Sequence, residues 1–168
     1  MNEWYNGEGD NMNNIYERLN QILWSHPTYK KVVGFLTIAL KYIMMASYVM
    51  LLIGFYITHD DYLIYAIIKP CAAFLIVTVI RKLINQSRPY DYLEVTPLFE
   101  HREGCSFPSR HAASAFIIAF TAIHFDLYIG IVMLVFAFLT AITRVLSGLH
   151  HISDVTAGMV LSLIIELL

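Results

Sequence analysis

Long apolar runs alternate with short polar breaks along most of this chain. Five runs stand out: Val33–Ile57, Tyr62–Ile84, Ser109–Phe125, Leu127–Leu146, and a last one from about His150 to Leu168. About 20 apolar residues in a helix cross the roughly 30 Å of a bilayer's hydrocarbon. The pattern therefore predicts an all-α, polytopic membrane helix bundle with about five transmembrane helices, the fifth barely long enough to cross. Ahead of them, residues 11–24 place Ile15, Leu19, Ile22 and Leu23 at helical spacing. That predicts a short amphipathic helix with Trp24 as an interfacial anchor, lying on the membrane or packed on the protein's own core. Residues 1–10 are expected to be disordered. Residues 1–32 thus form a polar and amphipathic segment, and 33–168 a membrane-embedded domain.

The breaks carry information too. Lys41 interrupts the first run, and Lys69-Pro70 the second, where the proline is expected to kink the helix. Lysines at such depth face a bundle interior or snorkel, so pairing or snorkelling is expected for both. His59-Asp60-Asp61 reads as a tight turn. Residues 85–108 form the long loop, mixing tyrosines and leucines with charges as a headgroup-level segment would. Five spans place the amino terminus, this loop and the turn at 144–154 on one membrane face.

Composition narrows the class. Hydrophobic residues make up 58% and charged residues 14%, with mean hydropathy +0.59, a balance soluble domains of this size rarely reach. A net charge of -2 offers no basic surface for nucleic acid. Cys71 and Cys105 have no metal-type spacing and suggest no disulfide framework. The polar, Asn-rich first thirty residues do not read as a signal peptide. No feature of the sequence specifies an oligomeric state.

Three polar clusters border these runs: Arg81-Lys82 through Arg88-Pro89, Pro108-Ser109-Arg110-His111, and Thr143-Arg144 through His150 to Asp154. Arginine's planar fork suits phosphate oxygens. If the chain is helical from about His150 onward, His150 and Asp154 share a face, being four apart. A carboxylate on one imidazole nitrogen leaves the other as a lone pair, a nucleophile or base. Arg81, Arg88 and Arg144 can neutralise phosphate oxygens, Ser109 can add a hydroxyl, and His111 is placed as a general acid.

The clusters resemble the three-part signature of the type-2 phosphatidic acid phosphatase family, membrane relatives of bacterial acid phosphatases and vanadium haloperoxidases. That signature runs Lys-x6-Arg-Pro, Pro-Ser-Gly-His, then Ser-Arg-x5-His-x3-Asp, and the resemblance covers about residues 81–158. It implies a membrane lipid phosphatase that works without a metal or other cofactor. Its substrate would be a lipid phosphate or diphosphate, such as undecaprenyl diphosphate, phosphatidylglycerol phosphate or phosphatidic acid. His150 would form a phosphohistidine, Asp154 would orient it, and His111 would protonate the leaving group. Arg81, Arg88, Ser109 and Arg144 would bind the phosphate. Three positions depart. Arg81 stands where lysine is usual, with Lys82 beside it as a second candidate. Arg110 replaces the glycine, adding a cation that either points to headgroups or contacts a second phosphate. Thr143 replaces serine and keeps the hydroxyl. His151 is expected to support the site from behind or lie at the surface.

Two other readings fit parts of the pattern: a transporter or structural membrane protein whose polar clusters line a pathway, and a metal site of His111, His150, His151 and Asp154. Clustering at one face argues against the first, and the arginines, which repel a cation, against the second. The opposite turns carry no Lys or Arg, so the charge rule places the clusters in the cytoplasm. The resemblance implies the outer face of the cell membrane, and we adopt that expectation because three of the arginines have a chemical reason to be there.

Overall fold

The computed structural model describes residues 8–99 and 104–168, with side chains from Asn13 onward. Among the described residues seven helices follow one another: α1 Glu8–Ser25, α2 Pro27–Ile57, α3 Leu63–Ile84, α4 Pro89–Tyr92, α5 Arg110–Phe125, α6 Leu127–Leu146 and α7 Ile152–Leu167. α1 begins inside the stretch expected to be disordered; the rest of that stretch, residues 1–7, lies outside the described residues.

Among the described residues three helical stretches are long and apolar enough to cross a membrane: Pro27–Ile57, Leu63–Tyr92 and Leu127–Leu146. The five expected runs are all helical and within a few residues of their expected bounds, two of them shorter than a full span. α5 and α7 have 16 residues each, about 24 Å at 1.5 Å per residue. Of the two, α5 is the bundle's centre. Its alanines, with Phe116 and Ile117, are buried against α2, α3, α6 and α7. Small side chains let helices approach closely in a membrane, where packing replaces the hydrophobic drive. At Gly158 of α7 an added Cβ would lie 2.9 Å from the Ser109 carbonyl oxygen, so this crossing excludes any side chain. Phe35, Met50, Leu75 and Tyr128 are exposed on the outer helices, as a lipid-facing surface requires.

Local chemistry sets the helix ends. Ser109 caps α5 and Asp126 caps α6, each accepting from a backbone N–H in the first turn. α3 ends at Asn85 in the left-handed region (φ 44°) and continues helically through Pro70. The expected single loop at 85–108 contains the short helix α4, held by Asp91, which accepts from the Arg88 N–H at 2.7 Å.

α1 packs on the protein's own core: Tyr16, Asn20 and Leu23 are buried, while Ile15 and Ile22 are exposed. Asn20 exchanges two hydrogen bonds with the Thr96 backbone (2.8 and 3.0 Å), and Trp24 donates to the same carbonyl at 3.0 Å. The helix therefore braces the long loop. Lys69 meets the expectation of structural pairing, reaching Glu166 near the end of α7 at 3.4 Å.

Candidate active site

The bundle has two chemically distinct ends. One gathers the end of α3, the 85–109 loop, the end of α6 and the start of α7, and all three polar clusters meet there. Arg81 leaves α3 inward and donates to the carbonyls of Ser106 (3.2 Å) and Pro108 (3.0 Å). Arg88 donates to Gly104 O (3.1 Å) and Leu149 O (3.2 Å). Ser109 N–H donates to the Asp154 carbonyl at 2.9 Å, joining the second cluster to the third.

His150 does not belong to the helix, contrary to expectation. α7 starts at Ile152 with His151 as its cap. The tight turn before it, with Gly148 at φ 70°, ends α6 and swings His150 back over α7. His150 Nδ1 still lies 3.3 Å from Asp154 Oδ2, because the first turn of α7 lifts that carboxylate toward the preceding residues. The same oxygen accepts from His151 N–H at 2.9 Å, faces His151 Nδ1 at 3.4 Å and accepts from the Ser106 hydroxyl. Asp154 is fully buried and His150 3% exposed.

Burial pushes the His150 imidazole down to about 4, overcoming the opposing pull of Asp154. At neutral pH the ring is therefore uncharged. With its Nδ1–H directed at Asp154, Nε2 carries the free lone pair.

Cations surround it. The charges of Arg81 and Arg88 both bear on His150, and that of Arg88 also bears on Arg144. Arg144 is 4% exposed, and its buried Nε has no hydrogen-bond partner. A buried guanidinium with an unsatisfied donor is costly unless an anion arrives. The Arg81/Lys82 ambiguity is resolved by burial: Arg81 points inward and Lys82 is exposed. Thr143 turns its hydroxyl back to Thr140 O at 2.9 Å. Ser109 accepts from Ala112 N–H through Oγ and is fully buried, with its hydroxyl proton still to donate.

His111 lines a cavity of about 460 Å³ between α2, α3 and α5, beside Arg110. Arg110 is exposed and stands over the Phe74 ring. His151 is buried rather than superficial: besides Asp154 it meets the Tyr92 hydroxyl at 2.8 Å through Nε2 and the Tyr16 ring edge-on. Among the described residues no three His, Cys, Asp or Glu side chains are arranged to hold a metal ion.

Sequence reasoning missed Ser106, Tyr92 and Tyr16. Tyr16 accepts from Ile152 N–H and so caps α7 from 136 residues away. Only the pairing of the long loop and α1 with α7 reveals these roles. The one local hint was Ser106 standing three residues before Ser109.

Comparison with known proteins gives a consistent picture. A model of the PAP2 superfamily matches residues 61–168. The chain is 35% identical over 102 residues to the bacitracin transport permease protein BcrC of Bacillus licheniformis, covering 60% of this chain and 50% of that protein. It is 30% identical over 107 residues to the undecaprenyl-diphosphatase BcrC of Bacillus subtilis strain 168, covering 64% and 55%. The chain thus spans about half the length of the curated relatives it matches. Among solved structures, Aquifex aeolicus LpxE superposes with TM-score 0.74 at 26% identity over 92% of this chain and 91% of that one. A Bacillus subtilis transmembrane PAP2-type phosphatidylglycerolphosphate phosphatase superposes with TM-score 0.71 at 20% identity over 97% and 85%, a likeness of fold.

Proposed function

Because the chain belongs to the PAP2 superfamily, we propose that it is a membrane lipid phosphatase acting through a phosphohistidine. One observation carries this reading: the neutral His150, its Nδ1 held by Asp154, stands among buried arginines, and Arg144 keeps an unpartnered Nε. Nε2 attacks phosphorus, and the bond from phosphorus to the lipid oxygen breaks. That oxygen takes a proton from His111. Arg81, Arg88, Arg144 and Ser109 hold the equatorial oxygens, where charge is spread in the transition state. Water then attacks the phosphohistidine, gives its proton to His111 and returns the bonding pair to Nε2. Asp154 is a positioning residue that fixes the tautomer throughout.

The substrate class is a phosphate monoester or diphosphate of a lipid; the name of one relative supports an isoprenoid diphosphate. The three arginine- and histidine-bearing clusters gather at one end of the bundle and not at its midplane, which speaks against a transport pathway. Purified protein should release phosphate from such lipids in the presence of chelator, and vanadate, a mimic of five-coordinate phosphorus, should inhibit it. Loss of activity in chelator, restored by a divalent ion, would overturn the metal-independent mechanism.

We place the site on the extracytoplasmic face of the cell membrane, with the amino terminus on the same side. Thr96 is exposed on the loop over the site. With Cys71 and Cys105 replaced, Thr96→Cys should react in intact cells with a membrane-impermeant thiol reagent. Labelling only in broken cells would put the site in the cytoplasm.

A further inference from the structure

The two lysines within the spans have different surroundings. Lys69 is satisfied by Glu166. Lys41 has no carboxylate within 4.0 Å among the described residues, and neither has Arg110. Each stands against a ring, Lys41 over Tyr42 (4.6 Å) and Arg110 over Phe74 (6.0 Å). Both line the 460 Å³ cavity that also contains His111, and the rest of its wall includes Met44, Tyr48 and Phe74. Both side chains are exposed at the cavity's mouth, and two like charges on one largely apolar wall repel each other, which an anion held between them offsets.

Depth identifies the anion. Thr37, one turn before Lys41 on α2, meets the Ser147 hydroxyl at 3.1 Å, in the turn that leads to His150. Lys41 therefore stands one turn nearer the hydrocarbon than that turn, level with the first turn of α5. The charge of Arg110 bears on Arg81, so the cavity and the arginine cluster are electrostatically continuous. A ligand spanning both would place one phosphate among Arg81, Arg88 and Arg144. It would place a second, deeper one between Lys41 and Arg110, with its chain leaving along the apolar wall. His111, two residues after Ser109, lies on the wall of this cavity.

Resting on the phosphatase reading above, we propose that this cavity is a second phosphate subsite. Lys41 and Arg110 hold there the phosphate that stays on the lipid, so that the site selects lipid diphosphates over lipid monophosphates. The terminal phosphorus forms its bond to His150 Nε2 as the bond to the bridging oxygen breaks. The electron pair leaves on that oxygen, now part of a lipid monophosphate, where Lys41 and Arg110 stabilise the charge and His111 supplies the proton. Water completes the cycle as before, so the sum is lipid diphosphate plus water giving lipid monophosphate plus phosphate.

The test is the ratio of kcat/KM for a prenyl diphosphate to that for phosphatidic acid, in the same detergent, for wild type, Lys41→Met, Arg110→Gly and the double variant. The wild-type ratio should exceed one. Each single substitution should lower it roughly tenfold, on the scale of one charge-assisted hydrogen bond. An unchanged ratio in all variants would overturn the proposal. Wild type offers a check independent of any variant's folding: pyrophosphate should inhibit phosphatidic acid hydrolysis at roughly tenfold lower concentration than phosphate does. Equal inhibition would also overturn it. Failure of the underlying phosphatase reading looks different, since wild type would then hydrolyse neither lipid.

Discussion

Helix α7 carries a buried carboxylate near each end, and each meets a histidine. Asp154 holds His150 and His151 in the first turn; Glu166 holds His124 (2.9 Å), Tyr62 (2.5 Å) and Lys69 in the last. The ingredients are alike and the outcomes differ. His124 is half-exposed, stacks on Tyr62 with centroids 4.2 Å apart, and spends Nε2 on Glu166. Among the described residues no arginine is a partner of this carboxylate. His150 is buried, spends only Nδ1 on its carboxylate, and feels the charges of Arg81 and Arg88. The helix dipole sharpens the contrast, because a carboxylate is favoured at the N-terminus and disfavoured at the C-terminus. Glu166 needs Lys69 to persist there, and together they fasten α7 to α3 and α5. A carboxylate–histidine pair marks chemistry only where the second imidazole nitrogen is left free and anion donors stand beside it.

The largest effect that tests this contrast is on the histidines. His150→Ala should lower phosphate release by roughly 1,000-fold or more, as expected for a nucleophile. His124→Ala should stay within about threefold, as for a residue outside the chemistry. Comparable losses in both would erase the distinction. Next come the carboxylates. Asp154→Asn should lower kcat by about 100-fold or more, by analogy with the positioning carboxylate of a catalytic triad. Glu166→Gln should leave kcat nearly intact but lower the thermal midpoint, with a cost of roughly 1–3 kcal/mol from breaking a buried pair. Thermal unfolding in detergent beside steady-state kinetics separates the two.

The spans and the three clusters were legible in the sequence because they rest on local signals, namely apolar run length and fixed spacing. α6 runs over Leu127–Leu146, the apolar run itself. The gathering of Arg81, Arg88, Ser109, Arg144 and Asp154 at one end of the bundle could also be anticipated, since the runs that carry them place all three clusters on one face. The start of α7 could not. A spacing of four fits a helix, but Gly148 and the capping by Asp154 allow the same contact from a turn. The burial of His151 was illegible for another reason: Tyr16 and Tyr92 cover it from elements distant in sequence. The bounds of α5 and α7 were legible to within one or two residues, but not that α5 would be enclosed by other helices, because an apolar run does not say whether lipid or protein surrounds it.

The smallest effect tests how Asp154 divides its charge. Four donors converge on Oδ2, and Ser106 is the one outside the 150–154 segment. Removing its hydroxyl should cost only about 3- to 10-fold in kcat, since three donors remain and a single hydrogen bond to a charged group is worth roughly 1.5–3 kcal/mol. A loss that small could come from loosened packing alone, so the informative readout is the His150 ring itself. In wild type it should stay neutral until the pH falls to about 4, and activity that depends on the lone pair should fall only as the pH drops through that range. In Ser106→Ala the carboxylate loses a competitor for its charge, so the imidazolium is better stabilised and the titration should move upward, toward the ordinary imidazole value. Ser162→Ala is the control on the same helix. Its hydroxyl donates to Ala113 O at 2.8 Å and Gly158 O at 2.9 Å, and its loss loosens the α5–α7 contact without touching Asp154. Imidazole resonances assigned with a His150→Gln variant should therefore shift in titration for Ser106→Ala and not for Ser162→Ala. Identical titrations in both would mean that Ser106 supports the fold of the loop and does not tune the nucleophile.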